Sequence, residues 1–88
     1  FEHCDLSDAD FQGADLSGTV FLDCDLSRAE MSQAKLNGAD LRGCVLDGVH
    51  VGLSELRGAI IDPSQALPLV QAFGIVIAWP GQDANGEN

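Results

Sequence analysis

Stepping through the chain by five from Phe1 meets Leu6, Phe11, Leu16, Phe21, Leu26 and Met31. The pattern continues without a slip through Leu36, Leu41, Leu46, Val51 and Leu56 to Ile61. Every one of these residues is large and apolar. Two places before each stands a residue that is nearly always small, as at Cys4, Ala9, Ala14, Cys24, Ala29, Ala34 and Ala39. The places between hold mainly Asp, Ser, Gln, Asn, Arg and Gly. An α-helix face repeats every ~3.6 residues and does not fit this spacing. A plain strand alternates with period two, so a step of five would send successive large residues to opposite faces. The chain must therefore turn a corner every five residues, returning each large residue to one interior. Four corners per coil give a square solenoid of about twenty residues per coil.

The longer period is also visible. Cys4, Cys24 and Cys44 align, as do Gly18, Gly38 and Gly58; Leu6, Leu26 and Leu46 form one column, and Leu16, Leu36 and Leu56 another. Neighbouring coils should lie about 4.8 Å apart, the spacing of hydrogen-bonded strands. Asp before the large residue points outward, and its short side chain can bond backbone groups at the corner. Gly two places after the large residue suits a turn that needs positive φ. The pattern weakens in the third coil, where Val45, Val49, His50, Leu53 and Ile60 replace the expected Asp, Ala or Gly. Apolar surface is expected there, and also at Val20 and Leu22.

The period changes after residue 62. Asp62 reads as a helix N-cap with Pro63 at the first helical position, and Gln65 can complete a capping box. Ala66, Leu69, Val70 and Phe73 follow the spacing of one apolar helix face, and Gly74 is a natural stop. Pro68 predicts a kink, or a short turn followed by a helix that starts there. Residues 75–79, Ile-Val-Ile-Ala-Trp, read as an apolar strand. The organisation is then a coil region over 1–62, a capping and dimerisation helix and strand over 63–79, and a frayed polar tail over 80–88.

The chain of 88 residues carries a formal net charge of -10, from 14 acidic residues against 4 basic ones. This balance argues against direct contact with nucleic acid or an anionic membrane and favours a basic partner. The charge is graded along the coils. The first has Glu2, Asp5, Asp8, Asp10 and Asp15 and no base, for a net of -5. The second sets Asp23, Asp25, Glu30 and Asp40 against Arg28 and Lys35, for -2, and the third is neutral. Asp62, Asp83 and Glu87 supply the rest. Three cysteines are too few and too odd in number for a disulfide scaffold, which fits a reducing, cytoplasmic setting. The cysteine column does not converge as a tetrahedral metal site must, so no metal or cofactor is expected. Outward acids keep a solenoid dissolved. With no nucleophile set and no phosphate loop, no catalytic residue is assigned and the chain is read as a non-enzyme.

The stretches CDLSD, ADFQG, ADLSG, CDLSR and ADLRG resemble the A(D/N)LXX repeats of the pentapeptide repeat proteins, over roughly residues 1–62. That resemblance implies an all-β solenoid, a right-handed quadrilateral β-helix. The tail Ile-Asp-Pro-Ser-Gln-Ala, an apolar helix and Gly-Ile-Val-Ile is similar to the C-terminal end of the Qnr and MfpA group. Such a likeness implies a DNA-mimicking binder of DNA gyrase, a type II topoisomerase, linked to fluoroquinolone resistance and dimeric through its tail. Two departures stand against it, the absence of any inserted loop and the presence of Pro68. On this reading Asp5, Asp8, Asp10, Asp15, Asp25, Glu30 and Asp40 form the partner-binding acidic surface. Leu67, Leu69, Val70, Phe73, Ile75, Ile77 and Trp79 form the interface of a homodimer. The alternatives are a structural or interaction module with another partner, and a monomer whose tail folds onto its own third coil.

Overall fold

The structure is a computed structural model that describes residues 1–81. The expectation of a frayed tail falls largely on 82–88, outside the described residues. The chain winds as a solenoid in which each residue meets the one twenty places on. Parallel bridges join Asp5 to Asp25 and Asp25 to Val45, Asp10 to Glu30 and Glu30 to His50, and Val20 to Asp40 and Asp40 to Ile60. A fourth column holds the single bridge Asp15–Lys35. Each bridge is one residue long, and the described residues contain no longer strand. The reason lies in the period, because three residues of extended chain are followed at once by a two-residue turn. Bonds across the stack are nonetheless short, as from Leu6 N to Asp25 O at 2.8 Å and from Asp25 N to Cys4 O at 2.9 Å.

The interior is built from the columns read in the sequence. Phe21, Leu26, Met31, Leu36 and Leu41 are at most 1 % exposed, and Ala29 and Ala39 fill the small places at 0 %. Phe1 stacks on Phe21 with centroids 5.0 Å apart, and Phe11 meets both rings edge-on. The large and small residues alternate around the coil, which suits the close packing of a protein interior. Val20, Leu22, Val45, Leu53 and Ile60 lie at the surface as expected. Val49 instead turns inward and is buried, because it occupies a small-residue place of the column.

The corner imposes a left-handed backbone on every fifth residue from His3 to Gly58, with φ between 49° and 79°. Leu53 alone breaks this series. A leucine held at positive φ costs roughly 1–2 kcal/mol, and here the side chain would gain no packing in return, being 69 % exposed. The chain instead forms a short helix, α1 (Leu53–Leu56), in which the Glu55 carboxylate accepts from Gly52 N at 2.7 Å. The bridge that Lys35 would make to Glu55 is absent, and with it the bonds from Leu36 N and to Ala34 O.

The coils end at α2 (Pro63–Ala72). Its start is the one read in the sequence. Asp62 accepts from Gln65 N at 3.2 Å and the Gln65 side chain accepts from Asp62 N at 2.8 Å. Ser64 also donates to the Asp62 carboxylate. The helix is unbroken at Pro68 and does not restart there. Proline removes only the bond to the Ser64 carbonyl, and both residues are exposed, so water can serve that carbonyl. The buried face is the expected one except at its start. Leu69 is buried against the coils, Val70 and Phe73 are half-buried, and Ala66 is exposed, while Gln65 is buried in its place. The side chain of Gln65 donates to Leu41 O at 2.6 Å and to Cys44 O at 2.9 Å, and Asp62 accepts from Gly43 N at 2.9 Å. At Gly43 N and Cys44 O these two side chains take bonds that the backbone of a fourth coil would otherwise make.

Gly74, at φ 80°, ends the helix as read. Residues 75–79 are not a strand. A strand needs a neighbouring backbone edge, and among the described residues no bridge joins 75–79 to the coils, while Ile75, Val76 and Ile77 are about half exposed.

Replacing Leu53 with Gly should restore the corner. The Glu55 and Leu36 amides should then exchange more slowly with solvent, and the melting temperature should not fall. Unchanged exchange at both amides would show that the side chain at 53 does not cause α1.

Candidate functional site

The bridge register places the outward carboxylates. The residue before each large residue sits at the middle of a face, and its carboxylate turns back to cap the following corner. Asp5 accepts from Ser7 N at 3.0 Å, Asp10 from Gln12 N at 3.0 Å, Asp15 from Ser17 N at 3.1 Å and Asp25 from Ser27 N at 2.9 Å. Glu30 repeats the contact with Ser32 N at 2.9 Å, and Asp40 with Arg42 N at 3.1 Å. Hydroxyls of Ser7, Ser27 and Ser32 donate to the same carboxylates. These bonds stabilise the charged form, so the carboxyls of Asp5, Asp15 and Glu30 lie below their ordinary values, with the serine side-chain or backbone donors as the main cause. Asp40 is lowered furthest, to about 2, by the hydrogen bond from the Arg42 side chain and then by the Arg42 backbone. Asp8 is held below its usual value by Arg28, whose Nε and NH2 bond its two oxygens at 2.9 and 3.1 Å from one coil to the next.

The seven acids read as one surface do not share a face. Asp5 and Asp25 stack in one column and Asp10 and Glu30 in the next, with Asp8 at the corner between them. Asp15 lies in the column that holds the single bridge, beside Lys35, and Asp40 in the remaining column between Val20 and Ile60, paired to Arg42 at 2.7 Å. The register nevertheless creates a side. Residues 2–10, 22–30 and 42–50 form one half of the solenoid, holding Glu2, Asp5, Asp8, Asp10, Asp23, Asp25, Glu30 and Asp47 against Arg28 and Arg42. That half has eight carboxylates and two guanidinium groups, a net of -6. The other half, 12–20, 32–40 and 52–60, has Asp15, Asp40 and Glu55 against Lys35 and Arg57, a net of -1. Counting by coil misses this sidedness, and the seven-acid surface leaves out Glu2, Asp23 and Asp47. Writing the chain in twenties and reading down the columns would have found both.

The cysteine column is part of the interior. Cys4, Cys24 and Cys44 are free thiols, and their Sγ atoms donate to Glu2 O, Leu22 O and Phe21 O at 3.2, 3.5 and 2.9 Å. Burial pushes the Cys44 thiol up, which keeps it protonated and unreactive. Among the described residues no group of three or more His, Cys, Asp or Glu could hold a metal ion, and no helix is long and apolar enough to cross a membrane.

At the C-terminal end, Leu69 is taken up by the chain's own core and is not available to a partner. Leu67, Ile75, Ile77 and Trp79 are exposed, and Val70 and Phe73 half-buried. They make a mainly apolar end to an otherwise acidic molecule.

Eight copies of the pentapeptide repeat are matched by the family model for pentapeptide repeats, over residues 4–43 and 24–61. No curated protein sequence matches the chain.

The lowered carboxylates tie stability to pH. Asp40 has a folded value of about 2 against 3.8 when free. Its contribution is therefore complete above about pH 4 and is lost as pH falls from there towards 2. Denaturant midpoints measured from pH 6 to pH 2.5 should fall with acid, and Asp40→Asn should fall less steeply than the wild type. Equal slopes would show that the Arg42–Asp40 contact contributes nothing.

Proposed function

The chain belongs to the pentapeptide repeat family, and on that premise we propose that it is a non-catalytic protein-interaction module whose acidic side takes a cationic partner. The observation that carries this is the sidedness of the charge, -6 on one half of the solenoid against -1 on the other. A chain that used its acids only to remain dissolved would have no need to gather them on one side. Backbone and serine donors fix the carboxylates of Asp5, Asp10, Asp25 and Glu30 in place. Such a preorganised array loses little side-chain freedom on binding.

Within that class, the DNA-binding surface of a type II topoisomerase such as DNA gyrase is our leading partner, with altered fluoroquinolone sensitivity as the consequence. Three coils at about 4.8 Å span about 14 Å, over which duplex DNA carries about eight charges. The acidic half presents eight carboxylates against two guanidinium groups, a net of -6, and a coil wound right-handedly as a quadrilateral β-helix would set them in steady columns. The second reading is an interaction module for some other cationic protein, which the same side would serve. We further propose a homodimer in which Leu67, Phe73, Ile75, Ile77 and Trp79 pair about a two-fold axis. Removing apolar side chains of this size from water is worth roughly 1.5–3 kcal/mol each, and an isologous contact closes the assembly.

In a gyrase supercoiling assay with and without a fluoroquinolone, micromolar protein should inhibit supercoiling or change drug sensitivity. Asp5→Asn with Asp25→Asn should weaken that effect and flatten its dependence on salt, whereas Asp15→Asn should not. No effect of the wild type at any salt would remove the topoisomerase reading. Sedimentation equilibrium at tens of micromolar should show a dimer that Phe73→Asp with Ile77→Asp dissociates, and a monomeric wild type would remove the dimer.

A further inference from the structure

The third coil ends in an edge that α2 closes at only one corner. Asp62 and Gln65 satisfy the corner around residues 41–44. Beyond it the helix leaves the edge bare. Among the described residues, the amides of Leu46, Gly48 and Val51 and the carbonyl of Val49 have no hydrogen-bond partner. One coil earlier the equivalent groups are all engaged. Leu26 N bonds Val45 O at 2.9 Å, Arg28 N bonds Asp47 O at 2.8 Å, Met31 N bonds His50 O at 2.8 Å, and Ala29 O accepts from His50 N at 2.9 Å. The four open groups are thus the bonding set for one more stretch of coil, in register. Leu46 and Val49 are themselves 7 % exposed, so the core anchors the backbone that presents these groups to an incoming chain.

These groups face a groove of about 740 Å³, whose far wall is Pro68, Gln71 and Ala72 of α2. The volume lies in the range of about 300–1,000 Å³ typical of ligand sites. The groove opens below the acidic half of the solenoid. Asp47 stands on its rim, and His50 lies 4.0 Å from Glu30. No Lys or Arg lines it, and Arg28, whose side-chain stem lies over Gly48, has its guanidinium held by both oxygens of Asp8.

We propose that this groove is a β-augmentation site that takes an extended, cationic segment of the protein partner as a substitute for the missing coil. Main-chain bonds to Leu46, Gly48, Val49 and Val51 supply the register, as in other strand-addition sites. Asp47 on the rim and Glu30 beside His50 select lysine or arginine on the outward places of the incoming segment. The inference rests on the acidic side being the surface for a cationic partner, and adds where and how the partner's chain is held.

The test uses the full chain and a fluorescein-labelled peptide, Lys-Lys-Leu-Asn-Gly-Ala-Lys-Leu-Lys, which follows the five-residue corner with lysine outward. On titration the amide signals of Leu46, Gly48 and Val51 should shift and their solvent exchange should slow at least tenfold. Fluorescence anisotropy should show binding that weakens at least tenfold when the amide of the peptide's lysine between alanine and leucine is N-methylated. Ala72→Trp, which fills the groove from the exposed helix wall, should weaken it similarly without lowering the melting temperature. Absence of peptide binding would overturn the proposal. Equal binding of the N-methylated peptide with the three amides unmoved would overturn the groove while leaving the acidic side as a charge surface. Equal binding of a peptide with glutamine for every lysine would overturn the cationic partner while leaving the groove. Slow exchange at the three amides in the free protein would also overturn it. If independent of concentration, that result assigns the groove to the chain's own residues 75–79; if growing with concentration, to a second copy.

Discussion

The hydrogen bond from one coil to the next is the constraint on which everything else depends. Each face is only three residues long, so no strand accumulates, and each bridge must be made by the residue twenty places on. A coil can return to that place only if it turns at every fifth residue with a left-handed backbone, the series from His3 to Gly58. The turn in turn fixes which residue points inward. Large side chains then stack in columns, and their burial at Phe21, Leu26, Met31, Leu36 and Leu41 repays the ordering of the coil. Where one residue cannot make the turn, as at Leu53, the bridge is lost and a helix takes its place. Bonding, corner geometry and core are one condition seen three ways.

The same constraint explains which features could be read from the sequence. The period of five, the inward columns, the outward Asp and the capping box of Asp62 with Gln65 are local patterns, and all are present in the structure. Leu53 was visible as a departure, but that it would fold as α1 follows only once the corner's positive φ is known. The burial of Gln65 in place of Ala66 shifts the start of the buried face of α2, because the coil end offers carbonyls at Leu41 and Cys44 that the Gln65 amide can reach. The strand at 75–79 failed for the opposite reason: its residues favour extended chain, but no edge lies beside them. The candidate site was half legible. The acids were named, yet the tally by coil averaged over faces that the bridges separate, so the acidic side emerged only from the register.

A solenoid of this kind has sides and ends with different chemistry. One side is acidic, with carboxylates held by corner donors; the other is nearly neutral. The C-terminal end is closed at one corner by two polar side chains, plugged by Leu69, and otherwise left with an open edge and an apolar tail. Adjacent surfaces of opposite character suit a protein that meets a partner by charge along its flank and by main-chain bonds at its end. None of this needs a reacting group, and the buried, protonated Cys44 thiol is consistent with a purely structural cysteine column.

The central claim is the five-residue register, and the most direct measurement is the unfolding free energy of Leu26→Ala beside Val20→Ala in denaturant titrations. Leu26 is 0 % exposed in the middle coil, whereas Val20 is 54 % exposed on a face. The account predicts a loss of about 2–5 kcal/mol for Leu26→Ala, enough in so short a stack to unfold the chain, and little change for Val20→Ala. A Leu26→Ala protein that melts within a degree or two of the wild type would contradict it.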